Sequence, residues 1–229
     1  MNARQHSKGT PDLAKREGDA KMRRFATISI AIALFALAGS ASAQGYSAPF
    51  GSQGTMTLGA ERLFGFHWTK NTWDAPPGQD DDNSGTTVGF GWAFAQHMQF
   101  NHPRAGFDYF ISNNLSLGGA LGFFSADGNR GALDTSGFLI NPRIGYSIPL
   151  TQSIAFWPRG GLEYISVGDD HAFGLSAEAN FVFLLRQSWG ILLSPTLDLA
   201  PFGGTEVNGE NVDYGAYSFG VSVGMLGVL

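Results

Sequence analysis

From residue 44 onward, apolar and polar positions alternate with a period of two, and no stretch repeats at helical spacing. The alternation falls into eight segments, at about 54–68, 103–111, 115–125, 137–150, 153–166, 172–186, 189–201 and 213–228. All eight have the length of a tilted membrane-spanning strand, about nine residues or more. Ser112-Asn113-Asn114, Thr151-Gln152 and Gln187-Ser188 are tight turns, whereas 127–136, 168–171 and 203–211 are longer polar stretches. Short turns at one end and long loops at the other are the outer-membrane pattern, with the turns and both termini in the periplasm. The predicted fold is all-β: an eight-stranded antiparallel up-and-down transmembrane β-barrel.

The two faces of the segments decide what surrounds the barrel. One face carries Leu117, Leu121 and Phe123, then Ile140, Ile144 and Tyr146, then Leu162 and Tyr164, and continues through Phe173, Leu175, Leu193, Leu197, Phe219 and Val221. The other carries Ser116, Gly118, Asn141, Gly145, Ser176, Asn180, Ser194 and Thr196, with the charges. A soluble barrel would place apolar residues inside and charges outside. Here the continuous apolar face must meet lipid.

The inward charges are Glu61, Asp108, Glu163, Glu178 and Asp198 against Arg104, Arg143 and Arg159. A buried lone ion costs several kcal/mol, so these groups are expected to pair and fill the narrow lumen of an eight-stranded barrel. Pro103-Arg104-Ala105-Gly106, Pro142-Arg143-Ile144-Gly145 and Pro158-Arg159-Gly160-Gly161 repeat one element, in which the glycine leaves room for a neighbouring guanidinium. Ligand binding by these arginines is the competing reading. Pro142, Pro158 and Pro195 each remove a ladder donor in mid-strand, which predicts bulges there.

Ahead of the barrel, Arg23 and Arg24 precede an apolar run over 25–38, followed by Ala41-Ser42-Ala43. Charged, apolar and small-residue regions in that order make a signal peptide of Sec type, cut between Ala43 and Gln44. The chain then divides into a cleaved segment at 1–43 and a barrel at 44–229. The barrel part keeps seven basic and sixteen acidic residues, a net charge of −9, which argues against nucleic acid as a partner. Cysteine is absent, so no disulfide or thiol chemistry is available.

Asp108-Tyr109-Phe110-Ile111, the turn Ser112-Asn113-Asn114 and then Leu115-Ser116-Leu117-Gly118-Gly119 resemble a feature of small outer-membrane barrels of the OmpA and OmpX type. The resemblance spans 54–229. It implies a Gram-negative outer membrane, contact with its lipids and lipopolysaccharide, and insertion by the barrel-assembly machinery. That machinery reads the last strand, where Tyr217, Phe219, Gly220 and Val223 fit; the chain ends in Leu229 where an aromatic is usual.

Segment 86–100 stands outside the eight-strand count. Its Phe90, Trp92 and Phe94 alternate with small residues, as in a strand. It is expected to extend the first hairpin above the membrane or fold over the barrel mouth, and its aromatic stripe is a candidate surface for an extracellular partner. Asp80-Asp81-Asp82 and the histidines His67, His97, His102 and His171 follow no metal-ligand spacing, so neither metal nor cofactor is predicted. Three function classes follow. A structural or surface-interaction barrel with a filled lumen leads. A narrow passive pore comes second. A lipid A-modifying enzyme, with His67 or His171 beside Asp169 or Asp170, is third, because no nucleophile motif is present.

Overall fold

A computed structural model of the chain describes residues 49–73, 83–90, 100, 102–126, 135–168, 170–186, 188–207 and 210–229. These residues form strands β1 (Met56–Trp73), β2 (Asn83–Phe90), β3 (Arg104–Ser112), β4 (Leu115–Ala126), β5 (Thr135–Tyr146) and β6 (Ile148–Pro149). The series continues with β7 (Ile154–Val167), β8 (Asp170–Arg186), β9 (Trp189–Val207) and β10 (Glu210–Val228). All pairings are antiparallel, and β10 closes on β1 from Thr57↔Val228 to Trp73↔Tyr214. Eight staves make the wall, because β2 with β3, and β5 with β6, each share one. The fold is the expected antiparallel barrel.

The second stave is where the alternation was hardest to read. β3 pairs with β1 from Met56↔Tyr109 to Glu61↔Arg104, while β2 pairs with the same side of β1 from Phe64↔Phe90 to Asn71↔Asn83. Residues 86–90 are therefore the distal half of a barrel stave hydrogen-bonded to β1, so this part of 86–100 does extend the first hairpin. Phe100 instead lies buried inside. Trp92, Phe94 and His97 fall outside the described residues.

Where β1 passes from β3 to β2 its register against β10 shifts, between Ala60 and Phe64. Arg62 takes φ 53° there, a left-handed value uncommon for a residue with a side chain. The irregularity turns Glu61 and Arg62 inward in succession. On the outer wall beside it, Leu58, Ala60, Leu63, Phe107, Leu121 and Ile140 line an apolar hollow of about 480 Å³.

Three sequence expectations need correction. The polar stretch at 168–171 is not a long loop: β7 runs to Val167, β8 starts at Asp170, and Gly168 (φ 59°) donates its N–H to the Ser136 carbonyl at 2.9 Å. Nor do 203–207 and 210–211 form a loop, since the ladder continues from Tyr214↔Gly203 to Glu210↔Val207. Pairing with a neighbour already in place outweighs the turn preference of Gly and Asp. The third concerns the prolines. No register shift falls at Pro142, Pro158 or Pro195. The β5–β7 ladder instead skips from Ile140↔Tyr164 to Arg143↔Gly161, and Asn141 Nδ2 donates to the Leu162 carbonyl at 2.7 Å. A side-chain amide replaces the donor that the proline lacks.

The faces fall as the alternation predicts. Phe123, Leu175, Ile144, Phe219 and Leu121 are among the most exposed side chains, while Ser116, Asn141, Asn180 and Asp198 are fully buried. An apolar outer surface with a charged interior is stable only with hydrocarbon outside, so the strands span a membrane.

Candidate functional site in the barrel lumen

The lumen is occupied in three levels. At the end that holds Leu229, Pro49–Thr55 folds across the mouth. Gly51 (φ 93°) and Gly54 (φ 88°) make the reversals, and Asn114 N–H donates to the Gly51 carbonyl at 2.6 Å. This places the Phe50 ring edge-on to Phe110 at 5.4 Å and to Trp157 at 5.3 Å. Ala155, Val182, Leu192 and Leu226 complete an apolar cluster. Trp157 keeps its polar edge satisfied by donating from Nε1 to Ser116 Oγ at 3.1 Å.

Above it lies the ionic level. Arg143 grips Glu61 through Nη1 to Oε2 and Nη2 to Oε1, both at 2.7 Å, and reaches Asp108 Oδ2 at 2.6 Å. Arg159 donates to Glu61 Oε1 at 2.8 Å and Glu178 Oε2 at 2.6 Å, with its guanidinium carbon 4.5 Å from the Trp157 ring centre. Arg62 donates to both oxygens of Asp198, at 2.7 and 2.9 Å. Arg104 donates to Glu178 Oε1 at 3.3 Å and stands 3.6 Å from Glu163 Oε1. All nine groups are at most 5% exposed. Close charge-assisted bonds of this kind offset the desolvation of the ions, which is the condition for keeping them in a narrow interior.

Two glycines make room for these side chains. A Cβ on Gly106 would collide with Glu61 Oε1 and stand 2.8 Å from Arg143 Nη2; one on Gly145 would stand 2.6 Å from Trp157 Nε1 and 2.9 Å from Arg159 Cγ. Gly106 follows Arg104 by two residues and Gly145 follows Arg143 by two. Gly106 clears space for the Arg143 guanidinium, as expected, whereas Gly145 clears space for the Trp157 indole and the aliphatic stem of Arg159.

The third level is apolar again. Phe100 packs among Leu139, Ile165, Ala172, Ala200 and Ala216, and its carbonyl accepts from Arg62 Nη1 at 2.6 Å. His102 and Pro103 are also buried. Toward the distal end the interior becomes neutral and polar, with His67, Thr69, Asn71 and Ser218 buried.

Glu61, Arg104, Asp108, Arg143, Arg159, Glu163, Glu178 and Asp198 thus converge. Arg62, Phe50, Phe100 and the pair Phe110–Trp157 were missed as lumen residues. Strict alternation puts Arg62 on the lipid face, and only the irregularity in β1 brings it in. One signal existed: five carboxylates against three arginines left the interior short of positive charge. His67 is buried in the lumen and His171 is exposed at the start of β8 beside Asp170, so the two do not meet; Asp169 lies outside the described residues. Among the described residues no three His, Cys, Asp or Glu side chains are placed to hold a metal ion. Phe90 is paired through its backbone to Phe64.

Several small barrels are similar to the chain in structure. Ail, the attachment invasion locus protein of Yersinia pestis, is 10% identical with a TM-score of 0.37, covering 76% of this chain and 99% of its own. The N-terminal β-barrel domain of Pseudomonas aeruginosa OprF is 12% identical with a TM-score of 0.41, covering 77% and 98%. The outer membrane protein OprG of Pseudomonas aeruginosa is 10% identical with a TM-score of 0.42, covering 76% and 96%. No protein-family model matches the chain, and no curated protein matches it in sequence. At these identities no role passes from those proteins to this one.

Proposed function

We propose that the chain is a structural or surface-interaction barrel of a Gram-negative outer membrane, with a lumen that does not conduct and a role carried by its distal face. One observation carries this reading: the interior is occupied in succession by the Phe50–Phe110–Trp157 cluster, the nine-membered ionic level and Phe100. A hydrated ion would have to break buried guanidinium–carboxylate pairs to pass. The leader at 1–43, cut after Ala43, delivers the chain; the barrel-assembly machinery inserts it; outer-membrane lipids and lipopolysaccharide surround it. Neither catalysis nor a cofactor enters this reading. On the distal side β8, β9, β10 and β1 are 17, 19, 19 and 18 residues long against 12 for β4 and β5. A spanning strand needs about 9–11 residues, so one wall of the barrel stands above the bilayer. That wall, with the segments beside it, offers the surface for an extracellular partner.

The test is reconstitution of the folded barrel into planar bilayers, with lipid A mass measured in the same expressing cells. Silent bilayers and unchanged lipid A are expected. Unitary current steps altered in an Arg143→Ala barrel would replace this reading with the pore, and a new lipid A mass lost on changing His171 would replace it with the enzyme.

A further inference from the structure

The irregularity in β1 also marks the outer wall. Strict alternation would set Ala60, Arg62 and Phe64 toward lipid. Arg62 turns inward to Asp198 instead, and between Ala60 and Phe64 the outer row keeps only the half-buried Leu63. The second stave is interrupted at the same height. β3 pairs with β1 as far as Glu61 and the β2 ladder starts at Phe64, so neither ladder reaches Arg62 or Leu63. Small outward residues gather beside this break. Ala60 is paired with Ala105, and Gly119 with Pro142. Phe107, opposite Gly119, and Leu121, opposite Ala105, rise on either side of the diagonal between them. The result is the apolar hollow of about 480 Å³, a trench floored by small residues and flanked by large ones.

Position and chemistry restrict what can fill it. Gly119 and Pro142 stand four residues in from Leu115 and Tyr146, the turn-side ends of β4 and β5, which puts the trench within the lipid-facing band of the wall. The polar residues along it, Arg104 and Asn141, are spent inside the barrel, on Glu178 and on the Leu162 carbonyl. Its lining is far smaller than the roughly 1,200 Å² that a stable protein interface buries, and a convex barrel wall does not enter a trench. A hydrocarbon chain does. Lipid tails are as apolar as leucine, so transfer from lipid to protein gains little and the number of close contacts decides. A chain on a smooth wall touches protein on one side, whereas a chain in the trench touches the floor and both flanks. A cavity of about 150 Å³ takes up benzene, so this one has room for about a dozen methylenes.

We propose that this trench is a binding site for one acyl chain of a membrane lipid, distinct from the exchanging lipid around the rest of the wall. The turn of Arg62 then has two consequences: it supplies a guanidinium to the ionic level and leaves a seat for a lipid tail outside. Filling the floor should empty the seat without disturbing the lumen. Ala105 is the position for this, since its side chain points outward and is exposed. Gly119 is unsuited, because a Cβ there would stand 3.1 Å from the Asn141 carbonyl oxygen.

The test uses the folded barrel in phosphatidylcholine vesicles that contain a fraction of phosphatidylcholine with a photoreactive diazirine in one acyl chain. After irradiation, the adducts are mapped by peptide mass spectrometry. They are expected to concentrate around Ala105 and Gly119, in excess over Leu175 and Leu197 on the opposite wall, which are also outward and exposed. The excess should vanish in Ala105→Leu, with the heat-dependent gel shift of the folded barrel retained. Ala60→Leu, which fills the other side of the floor, should act alike. Mass spectrometry of the intact barrel released from mild detergent should show one retained phospholipid in the wild type and none in either variant. Adducts spread evenly around the wild-type wall would overturn the proposal, as would an excess that survives both substitutions. A wild-type barrel released as a dimer, and as a monomer in Ala105→Leu, would give the trench to a second copy instead.

Discussion

Arg143 is the residue on which the ionic level turns, since it holds Glu61 with two bonds and Asp108 with two more. Replacing it by alanine leaves two buried carboxylates short of a counter-ion. The expected loss is about 3–5 kcal/mol, read as a lower urea midpoint for the unboiled, fast-migrating form on an SDS gel. Asn141 tests a smaller effect. Its side chain donates to the Leu162 carbonyl where the β5–β7 ladder is interrupted at Pro142, so Asn141→Ala should cost about 1–3 kcal/mol in the same assay. Asn141→Ser would recover part of that only if its shorter hydroxyl still reached the carbonyl. The inward position of both residues was legible from period-two alternation, because a strand sends every second side chain to one face. Their partners were not, because a pair such as Arg143 and Glu61 is 82 positions apart in the chain.

At the level of elements, β1 is the strand whose behaviour the pattern did not show. It pairs with three neighbours, and its register changes at the point where β3 gives way to β2. That change brings in Arg62, and Arg62 in turn holds the backbone at Phe100. Phe100→Ala should therefore open a cavity among Leu139, Ile165 and Ala200 and destabilise the barrel by about 3–5 kcal/mol. The same variant should remain electrically silent in planar bilayers, because the ionic level and the Phe50 cluster still occupy the lumen beneath it. Conductance appearing in Phe100→Ala alone would mean that those two levels do not seal. Alternation cannot reveal such an arrangement. A strand split into two pieces that share one stave looks in sequence like an extra strand, and whether residues 83–90 pair beside β3 or above it is settled by which part of β1 is left unpaired.

For the whole molecule, the membrane sets the energetic scale. Leu121 is exposed on the outer wall, where it lines the apolar hollow near mid-height, whereas Ile148 lies near the end that holds Leu229. Lysine at position 121 should cost about 2–4 kcal/mol of folding free energy in lipid vesicles, and at 148 about 0–1 kcal/mol. Equal costs at the two positions would contradict the depth assigned to them. The sequence by itself determined the all-β class, the strand number and the identity of the two faces, since these follow from local periodicity and from the rule that charges avoid hydrocarbon. It also named eight of the nine charged residues that meet inside, Arg62 being the ninth. Tertiary structure decided the rest: the split second stave, the inward turn of Arg62 and the seating of Phe50 and Phe100. These depend on the register between staves remote in sequence and on the space that glycines such as Gly106 leave to a neighbour's side chain, and neither quantity is written in the pattern of any single strand.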